Sequence, residues 1–527
     1  GLSRTYINDN KQVVTQNVGL EKTYDSLLKG VSGKRLVRRI SGGAFVPVEG
    51  SEIEPENGKD IVTTLDVNIQ DITQTALMRM MISNEALEGC AIVMEVATGK
   101  IKAIANLGRM PDGSYFETDN YALKTSEPGS VIKLVTLLSV LEDKYVTTSD
   151  MIDINNGSWM LNGRNIRDAE KSPKSLLTIK ESFEHSSNVA MAKLAYTYYS
   201  KNPAQFIKHY EALHLTARTG IDLKEEFRPL VKNPSRKDWH LQTLPSMGFG
   251  YEVMLSPLQL LMVYNAVANE GKLMKPYLVN RVEKDGNLLH EFEPQVLNNN
   301  ICSEETLRQL KDCLDAVCIQ GTAKSIFKDA VYHAAGKTGT TKVNDGKFKY
   351  GDAVYQSSFA GYFPAENPKY SCIVVIKNKP RAAKYFGGAV AAPVFREIAD
   401  KLYAESADRQ QLFIAKAATD SNKYRWSGYG SELKNVLETM NVQYTDSITS
   451  GKWGVVTNNA YTPLLKGLSI SKQTVPDVKG MGLKDALHLL ENMNIKVTVK
   501  GKGKVTSQSL DAGLAINTGQ TMALELN

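Results

Sequence analysis

Three small groups of polar residues carry the chemistry this chain could do. The first is Ser130-Val131-Ile132-Lys133, at the head of a run to Leu141 that is apolar at nearly every position. Such a run predicts a helix buried all round. Lys133 is its one charge before Glu142, and burial makes an ammonium costly and lowers its pKa. At a spacing of three, lysine and serine share a helix face, and a neutral amine beside a hydroxyl is an activated nucleophile pair. The plain alternative is a core helix whose serine caps the end and whose lysine reaches out to water. The second group is Ser186-Ser187-Asn188, ahead of the helical run Val189 to Ala195. A hydroxyl at Ser186 can relay a proton, and the Asn188 amide can donate and accept; serine and asparagine are equally at home as helix N-caps. The third is Gly336-Lys337-Thr338-Gly339-Thr340-Thr341. A lysine with threonine hydroxyls beside it on a strand can hold a carboxylate, and the two glycines let a substrate backbone come close. A phosphate-binding loop is excluded, because its pattern needs glycine where Val331 stands.

Periodicity outlines the elements that must position these groups. Asp60 to Leu65 is β-branched and reads as a strand, and Val67 to Ser83 as a helix. Gly89 to Val96 and Ile101 to Ala105, joined by Ala97-Thr98-Gly99-Lys100, read as two central strands in a hairpin. Residues 145–330 read as mostly helical, including a helix that starts at Ser256-Pro257 and stops at Gly271. Strands return after Gly336: Phe359 to Phe363 and Tyr370 to Ile376 flank a turn at Pro364 to Pro368, and a helix runs from Pro393 to about Ala404. Strands, a helical insert, strands and a closing helix predict one sheet with helices on its faces. Gly19 to Gly30 reads as a short helix and Val37 to Val48 as short strands. Residues 405–425 are polar and read as a linker. Beyond them Leu437–Thr445 matches Leu490–Thr498, each copy reading as helix, turn and strand.

Composition sets the bounds. The chain has 527 residues, 42% of them hydrophobic, enough for three or four domains. A net charge of +6 is too small for this length to imply nucleic acid, and Lys34 to Arg39 reads as a solvated basic stretch. Five cysteines without a C-x-x-C pair argue against a zinc site or a disulfide framework. Cys90 and Cys372 sit in apolar strand-like runs and read as small hydrophobes. No metal and no cofactor is expected. No run of 18 apolar residues and no signal peptide occurs. The first residue is Gly rather than Met, so an N-terminal segment is expected to precede it.

The order S-x-x-K, S-x-N, K-T-G is far more specific than any one of its parts. With it, the chain resembles the class B penicillin-binding proteins, membrane-anchored D,D-transpeptidases of peptidoglycan synthesis. The likeness extends through Glu127-Pro128-Gly129-Ser130, Ser246-Met247-Gly248-Phe249-Gly250, Gly321-Thr322-Ala323, Ser358 to Pro364 and Gly388 to Phe395. Residues 475–527, with Val475-Pro476-Asp477-Val478, Gln508, Gly513 and Gly519, look like a PASTA module. Nothing resembles a glycosyltransferase domain. The middle residue of the second motif is Ser187, where the general pattern has Asp.

The resemblance implies a multidomain α/β chain. Its main part would be a penicilloyl-serine transferase fold, a central antiparallel sheet flanked by helices with an all-helical insert. The expected divisions are the end of an N-terminal pedestal (1–59), the transpeptidase domain (60–404), the linker (405–425), a degenerate PASTA-like module (426–470) and a PASTA domain (471–527). It implies Ser130 as nucleophile, Lys133 as its base and Ser186 as proton relay. Asn188, Lys337, Thr338, Gly339 and Thr340 would bind substrate, with the N–H groups of Ser130 and Thr340 as oxyanion donors. Implied partners are stem peptides ending in D-Ala-D-Ala, β-lactams, and a glycosyltransferase of the division or elongation machinery. The implied place is the outer face of the cell membrane, held by an N-terminal anchor, and the implied role is septal. A D,D-carboxypeptidase uses the same site with water as acceptor. A serine β-lactamase would rarely carry a pedestal or a PASTA tail, and a non-enzymatic wall sensor conflicts with every catalytic position being filled.

Overall fold

The sheet under the site is built from two apolar segments far apart in sequence. In a computed structural model, which describes residues 3–7, 13–170, 174–405, 425–440, 442, 444–448, 453–457, 463–517 and 519–527, Glu88–Glu95 (β1), Ile101–Arg109 (β2) and Tyr115–Phe116 (β3) supply one half. Ala335–Lys342 (β4), Tyr355–Phe363 (β5) and Tyr370–Lys377 (β6) supply the other. The six strands are ordered β4-β5-β6-β1-β2-β3, antiparallel throughout. The halves join where β6 pairs with β1, Ile373 opposite Ile92 and Val374 opposite Ala91. Both strands are buried on both faces, which is why they read as continuous apolar runs rather than alternating ones. β4, with the K-T-G residues, is an edge strand.

The helices that frame the sheet and the site include Val67–Ser83 (α1), Lys133–Glu142 (α2), Asn188–Tyr199 (α3), Pro257–Ala268 (α4), Glu304–Ile319 (α5) and Gly387–Glu405 (α6). α6 covers one face of the sheet through Phe395, whose ring meets Phe359 and Phe363 of β5. α1 lies on the same side, tied to α6 by Arg79 and Glu397 at 3.1 Å. α4 covers the opposite face. Its buried Asn265 accepts from Ser371 of β6 at 2.7 Å and donates to the Val96 carbonyl at 3.1 Å, so a polar side chain sits in the core with its partners supplied. α2 is wrapped by helices, and every residue from Lys133 to Leu141 is buried.

Several expectations needed correction. Residues 145–330 are not all-helical. Met151–Asp153 pairs with Leu176–Thr178, Ser158–Leu161 with Arg164–Arg167, and Leu273–Met274 with Val296–Asn298. Val279–Lys284 pairs with both Asn287–Glu291 and Asp60–Thr63. Most of these ribbons have two to four residues, too few to produce a period, and the longer Val279–Lys284 and Asn287–Glu291 bury too little to alternate. α6 begins at Gly387 and carries Pro393 inside it; the ring removes one donor without ending the helix. Gly19 to Gly30 forms two short helices, Gly19–Thr23 and Asp25–Leu28, broken at Tyr24.

The chain divides into two compact units, Gly1–Ala404 and Glu405–Asn527. Residues 406–424, most of the expected linker, lie outside the described residues, as do Asn441 and Gln443 of the first repeat copy. The second unit uses one topology twice. After the helix Leu483–Glu491, strand Lys496–Gly501 lies parallel to Thr521–Leu526, which pairs antiparallel with Val505–Gln508. After the helix Gly430–Thr439, strand Thr445–Ser447 lies parallel to Leu464–Gly467, which pairs antiparallel with Trp453–Thr457. Among the described residues no helix is long and apolar enough to cross a membrane.

Candidate active site

The helix that carries the first motif starts tightly. Gly129–Ile132 is a 3-10 turn, and the α-helix begins only at Lys133. Gly129 has φ +60°, and a Cβ there would lie 1.7 Å from Thr341 Oγ1 on β4; only glycine allows both the left-handed backbone and the close approach. Gly339 is the counterpart on the strand, where a Cβ would meet Val131 at 3.1 Å and Ser358 Oγ at 2.2 Å. Two glycines thus press the head of α2 against the edge strand. Ser130 is half-buried at their junction, facing a cleft of about 560 Å³.

Lys133 is fully buried. Its Nζ donates to the Ser186 carbonyl at 2.5 Å, to Ser186 Oγ at 3.1 Å and to Asn188 Oδ1 at 2.8 Å. None of these bonds goes to Ser130, the neighbour that helical spacing suggests; the lysine instead links the first motif to the second. Burial brings its pKa from 10.5 down to about 7, with the Asp168 carboxylate pulling the other way.

The second motif owes its shape to a division of labour. Ser187 is the N-cap of α3, its Oγ accepting from Ala190 N at 3.0 Å. Capping by Ser187 leaves Ser186 and Asn188 free for Lys133. Ser186 has φ +58°, a conformation that costs a non-glycine residue about 1 kcal/mol or more. Ser186 N bonded to the Phe183 carbonyl and Ser187 N to the Ser182 carbonyl hold it there, and the turn aims both its carbonyl and its hydroxyl at one amine nitrogen. Asn188 Nδ2 donates to the Arg167 carbonyl at 2.8 Å. Both ends of its amide are therefore engaged, leaving one N–H and one lone pair for a ligand.

β4 supplies the cleft's far wall. Gly336 N–H meets the Cys318 thiol and Lys337 Nζ donates to the Thr338 carbonyl at 3.2 Å. The even-numbered residues therefore turn their main-chain groups to the free edge, and the alternation puts the Thr340 N–H there too. Thr338 Oγ1 shares a hydrogen bond with Thr322 Oγ1 at 2.6 Å. Thr340 Oγ1 accepts from Gly387 N at 3.0 Å, which leaves its own proton to donate. Lys337 is fully buried over the Phe183 ring, 5.6 Å from its centre. Burial and the charge of Lys133 hold its pKa well below the ordinary lysine value.

The structure thus brings Ser130, Ser186, Asn188, Thr338, Gly339 and Thr340 to the wall of one cleft, with Lys133 and Lys337 buried behind it. Sequence reasoning missed Asp168, which accepts from Ser187 Oγ at 2.8 Å, Asn188 N at 2.6 Å and Val189 N at 2.9 Å. It also missed Gly387 and the ring of Phe183. Thr322 was noticed as part of a likeness but given no place in the site.

A model of the penicillin binding protein transpeptidase domain matches residues 89–400, and a model of the PASTA domain matches residues 473–527. The chain is 29% identical over 394 residues to the peptidoglycan D,D-transpeptidase FtsI of Buchnera aphidicola subsp. Baizongia pistaciae, covering 73% of this chain and 65% of that protein. It is 25% identical over 520 residues to stage V sporulation protein D of Bacillus subtilis, covering 97% and 72%. The chain therefore spans just under two thirds of the FtsI relative. A crystal structure of penicillin binding protein 2X from Streptococcus thermophilus shares the fold, with a TM-score of 0.65 at 20% identity over 100% of this chain and 81% of that one. Penicillin binding protein 3 of Mycobacterium tuberculosis, crystallised with aztreonam, superposes with a TM-score of 0.60 at 26% identity over 76% and 86%. With the family model covering more than half its length and its three motifs meeting in one cleft, the chain belongs to the penicillin-binding protein transpeptidase family and ends in a PASTA domain.

Proposed function

We propose that this protein is a peptidoglycan D,D-transpeptidase that cross-links stem peptides through an acyl-enzyme on Ser130. The carrying observation is the bond from Lys133 Nζ to Ser186 Oγ at 3.1 Å, which joins two motifs behind the wall of one cleft. Ser130 Oγ attacks the carbonyl of the penultimate D-Ala while neutral Lys133 takes its proton. The oxyanion sits between the N–H groups of Ser130 and Thr340. One lies in a first turn, where such groups have no intrahelical partner; the other faces the free edge of β4. Each such donor is worth about 3–4 kcal/mol. Thr338 and Thr340 hydroxyls and the Lys337 ammonium hold the terminal carboxylate. Its negative charge favours a charged Lys337, whose repulsion in turn keeps Lys133 neutral. The proton passes from Lys133 through Ser186 to the departing D-Ala amine. An amine from a second stem then attacks the ester; its proton passes back through Ser186 and Lys133 to Ser130 Oγ as the C–Oγ bond breaks, which forms the cross-link and frees the serine.

β-Lactams, read as mimics of the dipeptide, acylate the same serine; the aztreonam complex of the mycobacterial relative supports this. We assign the protein to wall synthesis outside the cytoplasmic membrane, held by an N-terminal anchor, at division and beside a glycosyltransferase. Residues 1–59 are read as the end of a pedestal, and residues 426–470 as a degenerate PASTA-like module, supported by the repeated topology of the second unit. The test is intact mass after exposure to benzylpenicillin. A long-lived adduct on Ser130, absent from Ser130→Ala, is expected. No adduct would sink the reading, and rapid loss with turnover of drug would point to a β-lactamase.

A further inference from the structure

The second motif lacks the acidic middle residue of the general pattern, yet a carboxylate stands there. Asp168 follows the hairpin Ser158–Leu161/Arg164–Arg167 and reaches the start of α3 from outside that helix. Its Oδ2 accepts from Ser187 Oγ, and its Oδ1 accepts from the backbone N–H of Asn188 and Val189. These are orphan donors of a first turn, where negative charge is favoured. The preceding residue, Arg167, holds the Asn188 side-chain amide through its carbonyl. Two consecutive residues thus fix both the main chain and the side chain of Asn188, whose Oδ1 receives Lys133 Nζ.

We propose that Asp168 is a positioning residue for the acylation step: it replaces the missing acid of the second motif, fixes the Ser186–Asn188 turn and, through that turn and its charge, sets the pH at which Lys133 becomes a base. The inference rests on the reading of Lys133 as the base for Ser130. A carboxylate near a buried lysine favours the ammonium, which agrees with its upward pull on Lys133. The other charges around the turn include Glu170, Lys174, Glu181 and His185 on the cleft wall, Arg167 beside Asp168, the buried Glu184, which accepts from Gln320, and Lys337 on β4.

The test uses the full chain and a chromogenic β-lactam, with acylation rates followed from pH 5 to 9. Asp168→Asn keeps the size and removes the charge. Its acid limb is expected to move down by about 1 pH unit, with the plateau rate reduced about tenfold by the looser turn. Ser187→Asp alone places two acids together and should move the limb upward. The double variant Asp168→Asn/Ser187→Asp restores one acid at the same helix start, and its limb should return to the wild-type position. A limb unmoved in Asp168→Asn, or a double variant no closer to wild type than Asp168→Asn, overturns the proposal. Titration of Lys133 by its 13Cε resonance reads the same shift without turnover. If the wild type takes no acyl group, the catalytic reading fails; if Lys133 titrates alike with and without Asp168, this proposal fails.

Discussion

At the scale of residues the site is a set of groups each held in a state it would not choose in water. Lys133 is the clearest case. A fall from 10.5 to about 7 corresponds to about 5 kcal/mol of disfavoured charge, in a side chain that is fully buried. The unfolded lysine binds its proton below about 10.5 and the folded one only below about 7. Between these values the unfolded state carries the extra proton, so this group's contribution to stability rises with pH across that window. Lys133→Met should remove that slope along with acylation. Its melting temperature relative to wild type should be most favourable near pH 7 and decline toward pH 10; a difference flat over this range would mean that the lysine is not held neutral by the fold. The three motif groups were legible because type and spacing alone define them. Asp168 was not, because it lies beyond the window of any local pattern and reaches its helix only through the hairpin Ser158–Leu161/Arg164–Arg167.

At the scale of elements the work is done by a helix start and a strand edge pressed together. Burial of α2 on all sides was readable from its apolar run, but its 3-10 beginning was not, since that depends on Gly129 meeting Thr341 of a distant strand. The central hairpins read correctly because doubly buried strands leave unbroken apolar runs. The short ribbons of residues 145–330 did not, because most have two to four residues, and the longer Val279–Lys284 and Asn287–Glu291 bury too little to alternate. The edge position of β4 leads to a test of the oxyanion donor. Proline is tolerated on an edge strand when its missing N–H faces away from the ladder. Thr340→Pro should therefore fold, with a melting temperature close to wild type, and lose about 100- to 1,000-fold in acylation rate. Thr340→Ala, which keeps the N–H, controls for the lost hydroxyl. Equal losses in the two variants would place the oxyanion elsewhere.

At the scale of the whole molecule the described residues form two separate cores. One is a large core around the sheet and α2, within residues 1–404. The other is a small core of Val475, Val478, Met481, Ala486, Leu490, Val505, Met522 and Leu524, built by the repeated helix-and-strand pattern. Trp453 of the first copy packs against this core, and Ser427 N bonds to the Gly480 carbonyl at 2.9 Å, so the two copies fold as neighbours. The repeat was visible in sequence because matched helices keep matched apolar positions; the parallel pairing inside each copy was not, since pairing direction leaves no mark on periodicity. A separate core predicts separate energetics. Leu490 is fully buried, and Leu490→Ala should destabilise the second unit by about 2–5 kcal/mol through the cavity it leaves. Fluorescence of Trp426 and Trp453, with Trp159 and Trp239 replaced by phenylalanine, reports that unit's unfolding in guanidinium. The midpoint should fall while the rate of β-lactam acylation at Ser130 stays at the wild-type value. If acylation slows in step with the loss of stability, the PASTA unit supports the active site energetically, and the two cores act as one cooperative body.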